Sequence, residues 1–227
     1  MAGVILARMG STRFPNKILS QINGKTILEL IIDRVKQCKA CEIEIVLATT
    51  KDHSDDSLSS YAKNLGIEVF RGETIDVLSR AINAGKSVGG THLLRLNGDC
   101  PLVEPELIDE ALSSLITKRF EVISSKGQNG IPYGVSVEIA DLTLLNRLSL
   151  DATVHEREHI FSAIYSNIER LRHLKIGEGY PSRQDLRLTV DFPGDNLRIG
   201  QMISAADIAA INIKYWEIPI QHSSTIE

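Results

Sequence analysis

Short apolar runs that empty into polar loops, each followed by helical periodicity, constrain this chain more than any other feature. Val4-Ile5-Leu6-Ala7 is a run of the kind that fills a strand buried on both faces, and it leads into the polar loop Arg8 to Asn16. Thr26 with Glu29 three positions later forms a capping box, and Ile27, Leu30, Ile31, Arg34 and Val35 then recur at helical spacing with the apolar members on one face. The alternation repeats as a strand over 43–49, a polar helix over 53–65, a short strand over 68–70, a helix over 75–86 and a strand over 92–96. A βαβαβαβ order predicts an α/β fold with a mostly parallel sheet and helices on both faces. Sheets of this kind take their ligands at the carboxyl ends of the strands.

Pro105 opens a helix through about Thr117, as proline does where its missing N–H falls in the first turn, and 121–124 reads as a strand. Residues 126–134 are rich in glycine and turn formers and are expected to be a substrate-facing insertion. Beyond it the pattern predicts a strand over 135–139, helices over 141–148 and 156–165, strands over 171–176 and 186–190, a helix over 195–205, and a C-terminal tail from about 207 in which Tyr215 and Trp216 act as anchors. The 227 residues, 43% hydrophobic, fit a single domain with a full core. A net charge of −4 gives no bulk attraction to nucleic acid or to anionic membranes, so neither is an expected partner and any basic site must be local. The opening residues lack the apolar stretch of a signal peptide, no apolar run approaches a membrane span, and three cysteines give no disulfide framework. A cytoplasmic protein is the expectation.

Three clusters carry chemistry. Ala7-Arg8-Met9-Gly10-Ser11-Thr12-Arg13-Phe14-Pro15-Asn16-Lys17 places three cations and a flexible glycine directly after a buried strand. A polyphosphate suits that pattern: backbone N–H groups bared by Gly10 and Ser11 can approach its oxygens while Arg8, Arg13 and Lys17 offset its charge. No Gly-Lys-Ser/Thr follows, so this is not a Walker A loop. In Leu96-Asn97-Gly98-Asp99-Cys100-Pro101 a strand ends on a glycine and an acid, exposing one carboxylate at the sheet rim. Leu188-Thr189-Val190-Asp191-Phe192-Pro193 repeats the design with Asp191, while Asp195 can cap the helix that follows. Two such carboxylates suffice for Mg²⁺, or Mn²⁺ in its place, because a small hard cation takes most of its shell from water and phosphate oxygens.

Together, Ala7-Arg8 with Arg13, Pro15 and Lys17, then Gly98-Asp99 with Pro101-Leu102, then Thr189-Val190-Asp191 with Pro193 and Asp195, resemble the cytidylyltransferases of the SpsF spore-coat polysaccharide type, relatives of the CMP-Kdo and CMP-acylneuraminate synthetases. The resemblance runs from Val4 to about Leu197 and extends to Arg71-Gly72, Asp76-Val77-Leu78, Arg80, Pro132, Gly134, Glu138 and Arg157-Glu158-His159. It implies a GT-A-like, Rossmann-like nucleotide-sugar transferase fold, a homodimer, and Mg²⁺-dependent transfer of CMP from CTP to a sugar-like acceptor, with pyrophosphate released. By the same carry-over, Arg8, Arg13 and Lys17 face the triphosphate and act with Asp99 in catalysis. Asp99 and Asp191 hold metal. Ala7, Met9, Gly10, Asn97 and Gly98 join Arg71 and Asp76 around the nucleotide, and Glu138, Arg157 and His159 line the acceptor side. Ser136 stands where members of the family often carry Asp, a departure at the acceptor pocket.

Other signals are weaker. His155-Glu156-Arg157-Glu158-His159 matches an inverted zinc-peptidase pattern, but Thr153 with Glu156 makes it the capped start of a charged helix. Cys38 and Cys41 follow a helix rather than begin one and read as inert thiols, and Cys100 reads as a packing residue. The rival functions are a metal-dependent glycosyltransferase, which would free a nucleoside mono- or diphosphate instead of pyrophosphate, and a nucleotide-binding module without turnover.

Overall fold

The computed structural model describes residues 1–117, 120–127, 130–207 and 209–219. In chain order it runs β1 (Ala2–Leu6), β2 (Gln21–Ile22), β3 (Lys25–Thr26), α1 (Ile27–Val35), β4 (Glu44–Thr50), α2 (Asp56–Asn64), β5 (Glu68–Gly72), α3 (Val77–Ser87), β6 (His92–Asn97) and α4 (Pro105–Thr117). It continues with β7 (Val122–Ser124), β8 (Glu138–Asp141), α5 (Leu142–Leu148), α6 (Val154–Glu158), α7 (Ser162–Tyr165), β9 (His173–Lys175) and α8 (Pro193–Ala205). The main sheet has the order β5-β4-β1-β6-β8-β7-β9. β1 pairs in parallel with β4 and β6, β4 with β5, and β7 with β9, while β8 runs antiparallel between β6 and β7. The fold is the expected single-domain, mostly parallel α/β sheet.

The alternation of strand side chains divides the core in two. Ile5, Ile45, Leu47, Leu94 and Leu96 pack on one face with residues of α1, α2, α4 and α8. Val4, Val46, Ala48 and Leu93 pack on the other with residues of α3, α5 and Ile164 of α7. This two-face burial is why the strand sequences read as nearly continuous apolar runs. The first helix begins where the capping box places it: Thr26 accepts from the Glu29 N–H at 3.1 Å, and Glu29 accepts from the Thr26 N–H at 2.7 Å.

Several boundaries differ from the expectation. The segment over 186–190 buries Leu186, Leu188 and Val190 but joins no ladder; it makes an isolated bridge, Arg187 to Tyr133, with the stretch before β8 and outside the sheet's strands. The helix expected over 156–165 breaks into α6 and α7. The strand expected over 135–139 is β8, shifted to 138–141, and β9 covers only 173–175 of the 171–176 expected. Of the glycine-rich stretch, Gln128 and Asn129 lie outside the described residues; Val135 and Val137 are buried, and Val137 donates to Ser125 Oγ at 2.9 Å. Tyr215 is buried and donates to the Pro181 carbonyl at 3.0 Å.

Candidate active site

The sheet register brings the three clusters to one rim. Leu6, the last residue of β1, pairs with Asn97, the last of β6, so the loops that follow these strands start side by side. The Gly98 N–H donates to the Leu6 carbonyl at 3.0 Å, and a Cβ at Gly98 would lie 2.7 Å from Ala7 Cβ, so only glycine allows this approach. The third cluster joins through the backbone: Val190 N–H donates to the Asp99 carbonyl at 2.8 Å. Lys17 then spans both, its Nζ 3.3 Å from Asp99 Oδ2 and 3.1 Å from the Val190 carbonyl.

Asp191 is the centre of this cluster. Arg13 reaches its Oδ1 at 2.7 Å, and Arg187 reaches its Oδ2 at 2.5 Å. Burial opposes ionisation of Asp191, but Arg187, Arg13 and Lys17 outweigh it and hold the carboxyl below its ordinary value. α8 starts at Pro193 rather than after Asp195, so Asp195 lies in its first turn and caps it by reaching back, accepting from the Asp191 and Phe192 N–H groups at 2.8 and 2.9 Å. Asp99 and Asp191 present hard oxygen donors beside one lysine, a donor set that fits a divalent cation whose remaining ligands come from phosphate and water. Among the described residues no group of three or more His, Cys, Asp or Glu is placed to hold a metal.

The first loop is shaped by a residue that no motif marks. Buried Asp55 accepts from the Met9 N–H at 2.7 Å, the Thr49 hydroxyl at 2.9 Å and the Thr50 N–H at 3.0 Å, and it also bonds the Thr50 hydroxyl. The Met9 carbonyl in turn takes the Ser11 and Asn16 N–H groups at 2.9 and 3.0 Å, closing the loop on itself. Gly10 faces open space, and Arg8 is exposed. Burial, and then Arg8, lower the pKa of Arg80, whose Nε has no hydrogen-bond partner among the described residues.

The remaining predicted residues fall into separate groups. Arg71 is bound to the loop before α2, donating to the Thr50 carbonyl at 2.8 Å and the Asp52 carbonyl at 2.6 Å and pairing with Asp56. Asp76 caps α3 through the Ser79 N–H at 2.9 Å and pairs with Arg157 at 2.7 Å, so these two expected site residues meet each other across elements. Arg157 also donates to the Ser149 carbonyl at 2.9 Å. His159 is exposed and lies beside His155, ring centroids 4.6 Å apart and the rings tilted by 57°. Glu138 is buried at the rim end of β8, where Arg95 and the Tyr165 hydroxyl both bond it; Ser136 nearby is exposed. Lys126 lies 4.3 Å above the Tyr165 ring. Burial drives the Cys100 thiol well above its usual value, as expected of a packing residue, and raises Cys38 to about 12.

No motif marks Arg187, Asp55, Arg95 or Tyr165. Arg187 carried a readable signal, because in an extended segment Arg187, Thr189 and Asp191 share a face at every second position. Asp55 carried none.

The chain is similar to known proteins in sequence and fold. Residues 2–199 match the family model described as Cytidylyltransferase. An uncharacterized protein, MJ1063, of Methanocaldococcus jannaschii is 35% identical over 192 residues, 83% of this chain and 77% of that one. The spore coat polysaccharide biosynthesis protein SpsF of Bacillus subtilis is 29% identical over 199 residues, covering 85% and 81%. The structure of a cytidylyltransferase from Leptospira borgpetersenii superposes with a TM-score of 0.87 at 30% identity, covering 96% of this chain and 91% of that one. A match over nearly the whole sheet and all three rim clusters places this chain in the cytidylyltransferase family.

Proposed function

We propose that this chain transfers CMP from CTP to an acidic or phosphorylated sugar, with Mg²⁺ or Mn²⁺, for polysaccharide or glycoconjugate synthesis. The observation that carries the reading is the convergence of Arg13, Lys17, Asp99 and Asp191 where β1 and β6 end. An acceptor oxygen attacks the α-phosphorus, the bond from that phosphorus to the bridging oxygen breaks, and pyrophosphate leaves; the acceptor's proton passes to solvent. Such a step needs positioning and charge stabilisation more than covalent help from the protein. Asp99 and Asp191 would hold the divalent cation, which supplies charge neutralisation at phosphate oxygens. Lys17 and Arg13 take up charge on the departing pyrophosphate, and Asp55 holds the loop backbone at Met9 so that Arg8, Gly10 and Ser11 face the nucleotide. Arg71 and Asp76 border the nucleotide from the ends of β5 and α3.

On the acceptor side, Asp76 neutralises Arg157 and Glu138 neutralises Arg95, which leaves Lys126, over the Tyr165 ring, as the cation that favours an anionic sugar. No helix among the described residues is long and apolar enough to cross a membrane, and a cytoplasmic homodimer belongs to this proposal. The test is pyrophosphate release with four nucleoside triphosphates against a panel of acidic and phosphorylated sugars, with and without excess EDTA. The expected result is release with CTP and an anionic sugar, abolished by EDTA. Release of a nucleoside mono- or diphosphate from a nucleotide sugar, with no pyrophosphate from any triphosphate, would replace the reading with a glycosyltransferase.

A further inference from the structure

The buried Asp191 carboxylate is held by two cations that are themselves open to solvent. The Asp191 side chain is 7% exposed, and those of Arg13 and Arg187 are 58% and 57% exposed. Each carboxylate oxygen has its own guanidinium, so the group expected to face a metal is already occupied on both sides. The arrangement is two-sided in a further respect: Arg13 lies 5.5 Å from the centroid of the Phe192 ring, and Arg187 lies 5.5 Å from that of Tyr133. The backbone under Arg187 is fixed independently of the ion pair. Leu188 N–H donates to the Tyr133 carbonyl at 2.7 Å, and the Arg187 carbonyl accepts from Arg198 at 2.7 Å. The side chains can therefore leave without the segment moving.

We propose that Arg13 and Arg187 form an exchangeable clamp that occupies Asp191 until a complex of divalent metal and nucleoside triphosphate arrives, whereupon the carboxylate passes to the metal and the arginines pass to phosphate oxygens. This inference rests on the function proposed above and makes Arg187 a nucleotide-contacting residue. The charge balance favours it. Three cations, Lys17, Arg13 and Arg187, face two carboxylates, Asp99 and Asp191. A bare divalent cation would enlarge an existing positive excess, whereas the anionic metal–triphosphate complex reverses it. The guanidinium ends are open to solvent, so water can take up their hydrogen bonds while the arriving metal takes the buried carboxylate, and the two aromatic rings offer each guanidinium a second favourable contact. Metal and triphosphate must then raise each other's affinity, because coupling between two ligands is reciprocal.

The experiment is Mn²⁺ titration of the full chain, followed by the electron paramagnetic resonance signal of free Mn²⁺, first without nucleotide and then with CTP. Arg187→Gln and Arg13→Gln should each bind Mn²⁺ alone roughly threefold or more tightly than the unsubstituted protein, while binding the Mn²⁺–CTP complex more weakly. Arg187→Lys, which keeps the charge, should bind Mn²⁺ alone close to the unsubstituted value. Both arginines are exposed, and unchanged circular dichroism would establish that the variants are folded. Asp191→Asn should lose Mn²⁺ binding. If it does and both Gln variants bind Mn²⁺ alone no more tightly than the unsubstituted protein, the clamp is overturned while the proposed function stands. If Asp191→Asn binds Mn²⁺ undiminished, the metal assignment falls and the clamp falls with it.

Discussion

Arg34 and Glu104 meet at 3.7 Å with both side chains 2% exposed, whereas Arg13 and Arg187 meet Asp191 with their guanidinium groups open to solvent. Arg34 also donates to the Val103 carbonyl at 2.6 Å and to the Ala210 carbonyl at 2.9 Å, so it ties α1 to the start of α4 and to the C-terminal segment. Burial raises the Glu104 carboxyl in spite of Arg34. The same pair of chemical groups thus serves two ends. Where both partners are buried, separating them strands a charge, and the pair fixes structure. Where only the cations are exposed, water can take up their hydrogen bonds, and the buried carboxylate can pass to a replacement cation.

The largest expected effect breaks the buried pair. Arg34→Ala should lower stability by about 3–5 kcal/mol, a fall in Tm on the order of 10 °C, by leaving Glu104 without its cation. Replacing both partners with methionine should recover most of that loss, measured by thermal denaturation, because two apolar side chains strand no charge. A single and a double variant of equal stability would contradict the assignment of the pair as structural.

The rim cluster should respond the other way, in activity more than in stability. Asp191→Asn is expected to cut pyrophosphate release about 100-fold or more and to lower Tm near neutral pH by less than Arg34→Ala does, since it removes the charge and keeps the shape. Its acid behaviour supplies a second check. Asp191 has a folded pKa below its ordinary value of 3.8, so the stability it contributes is present above 3.8 and is lost only as pH falls through the lower folded value. In urea titrations, acid destabilisation below 3.8 should therefore be smaller in Asp191→Asn.

Asp55 stands between the two classes, buried like Arg34 but attached to the rim loop. Asp55→Asn should cost about 1–3 kcal/mol, because an amide N–H₂ faces donors that need an acceptor. It should also raise the KM for the nucleotide severalfold with a smaller effect on kcat, whereas an unchanged KM would mark Asp55 as structural alone. The smallest effect is Arg13→Ala, expected to weaken CTP binding roughly fivefold by calorimetry, near 1 kcal/mol for one exposed cation. Arg187 cannot serve as a control for this measurement, because it also pairs with Asp191. Arg147, exposed and 3.6 Å from Glu121, can, and Arg147→Ala should leave CTP affinity unchanged.

The comparison also explains what the sequence makes legible. Local signals were carried by neighbours in the chain: the capping boxes at Thr26 and Thr153 form as their spacing predicts, and the alternating core faces follow from period two along each strand. Asp99 and Asp191 stood out because each ends an apolar run at a turn. Contacts between distant segments had no such marker. Arg34 reads as one cation on an otherwise apolar face, and nothing local connects it with Glu104 or Ala210. Asp55 is one of two adjacent aspartates, and only the fold brings it to Met9. The hairpin of β2 and β3 was legible in principle, since Asn23 and Gly24 with φ of 49° and 84° are the turn residues such a hairpin requires. Its two-residue strands are too short to show alternation.

Backbone hydrogen exchange with and without CTP and Mg²⁺ tests most directly the claim that nucleotide acts at the rim and leaves the buried pair untouched. The expected result is slower exchange over 8–13, 97–99 and 187–191, with no change over 209–217, where Arg34 holds the C-terminal segment. Protection over 209–217 without protection of the first loop would contradict the account.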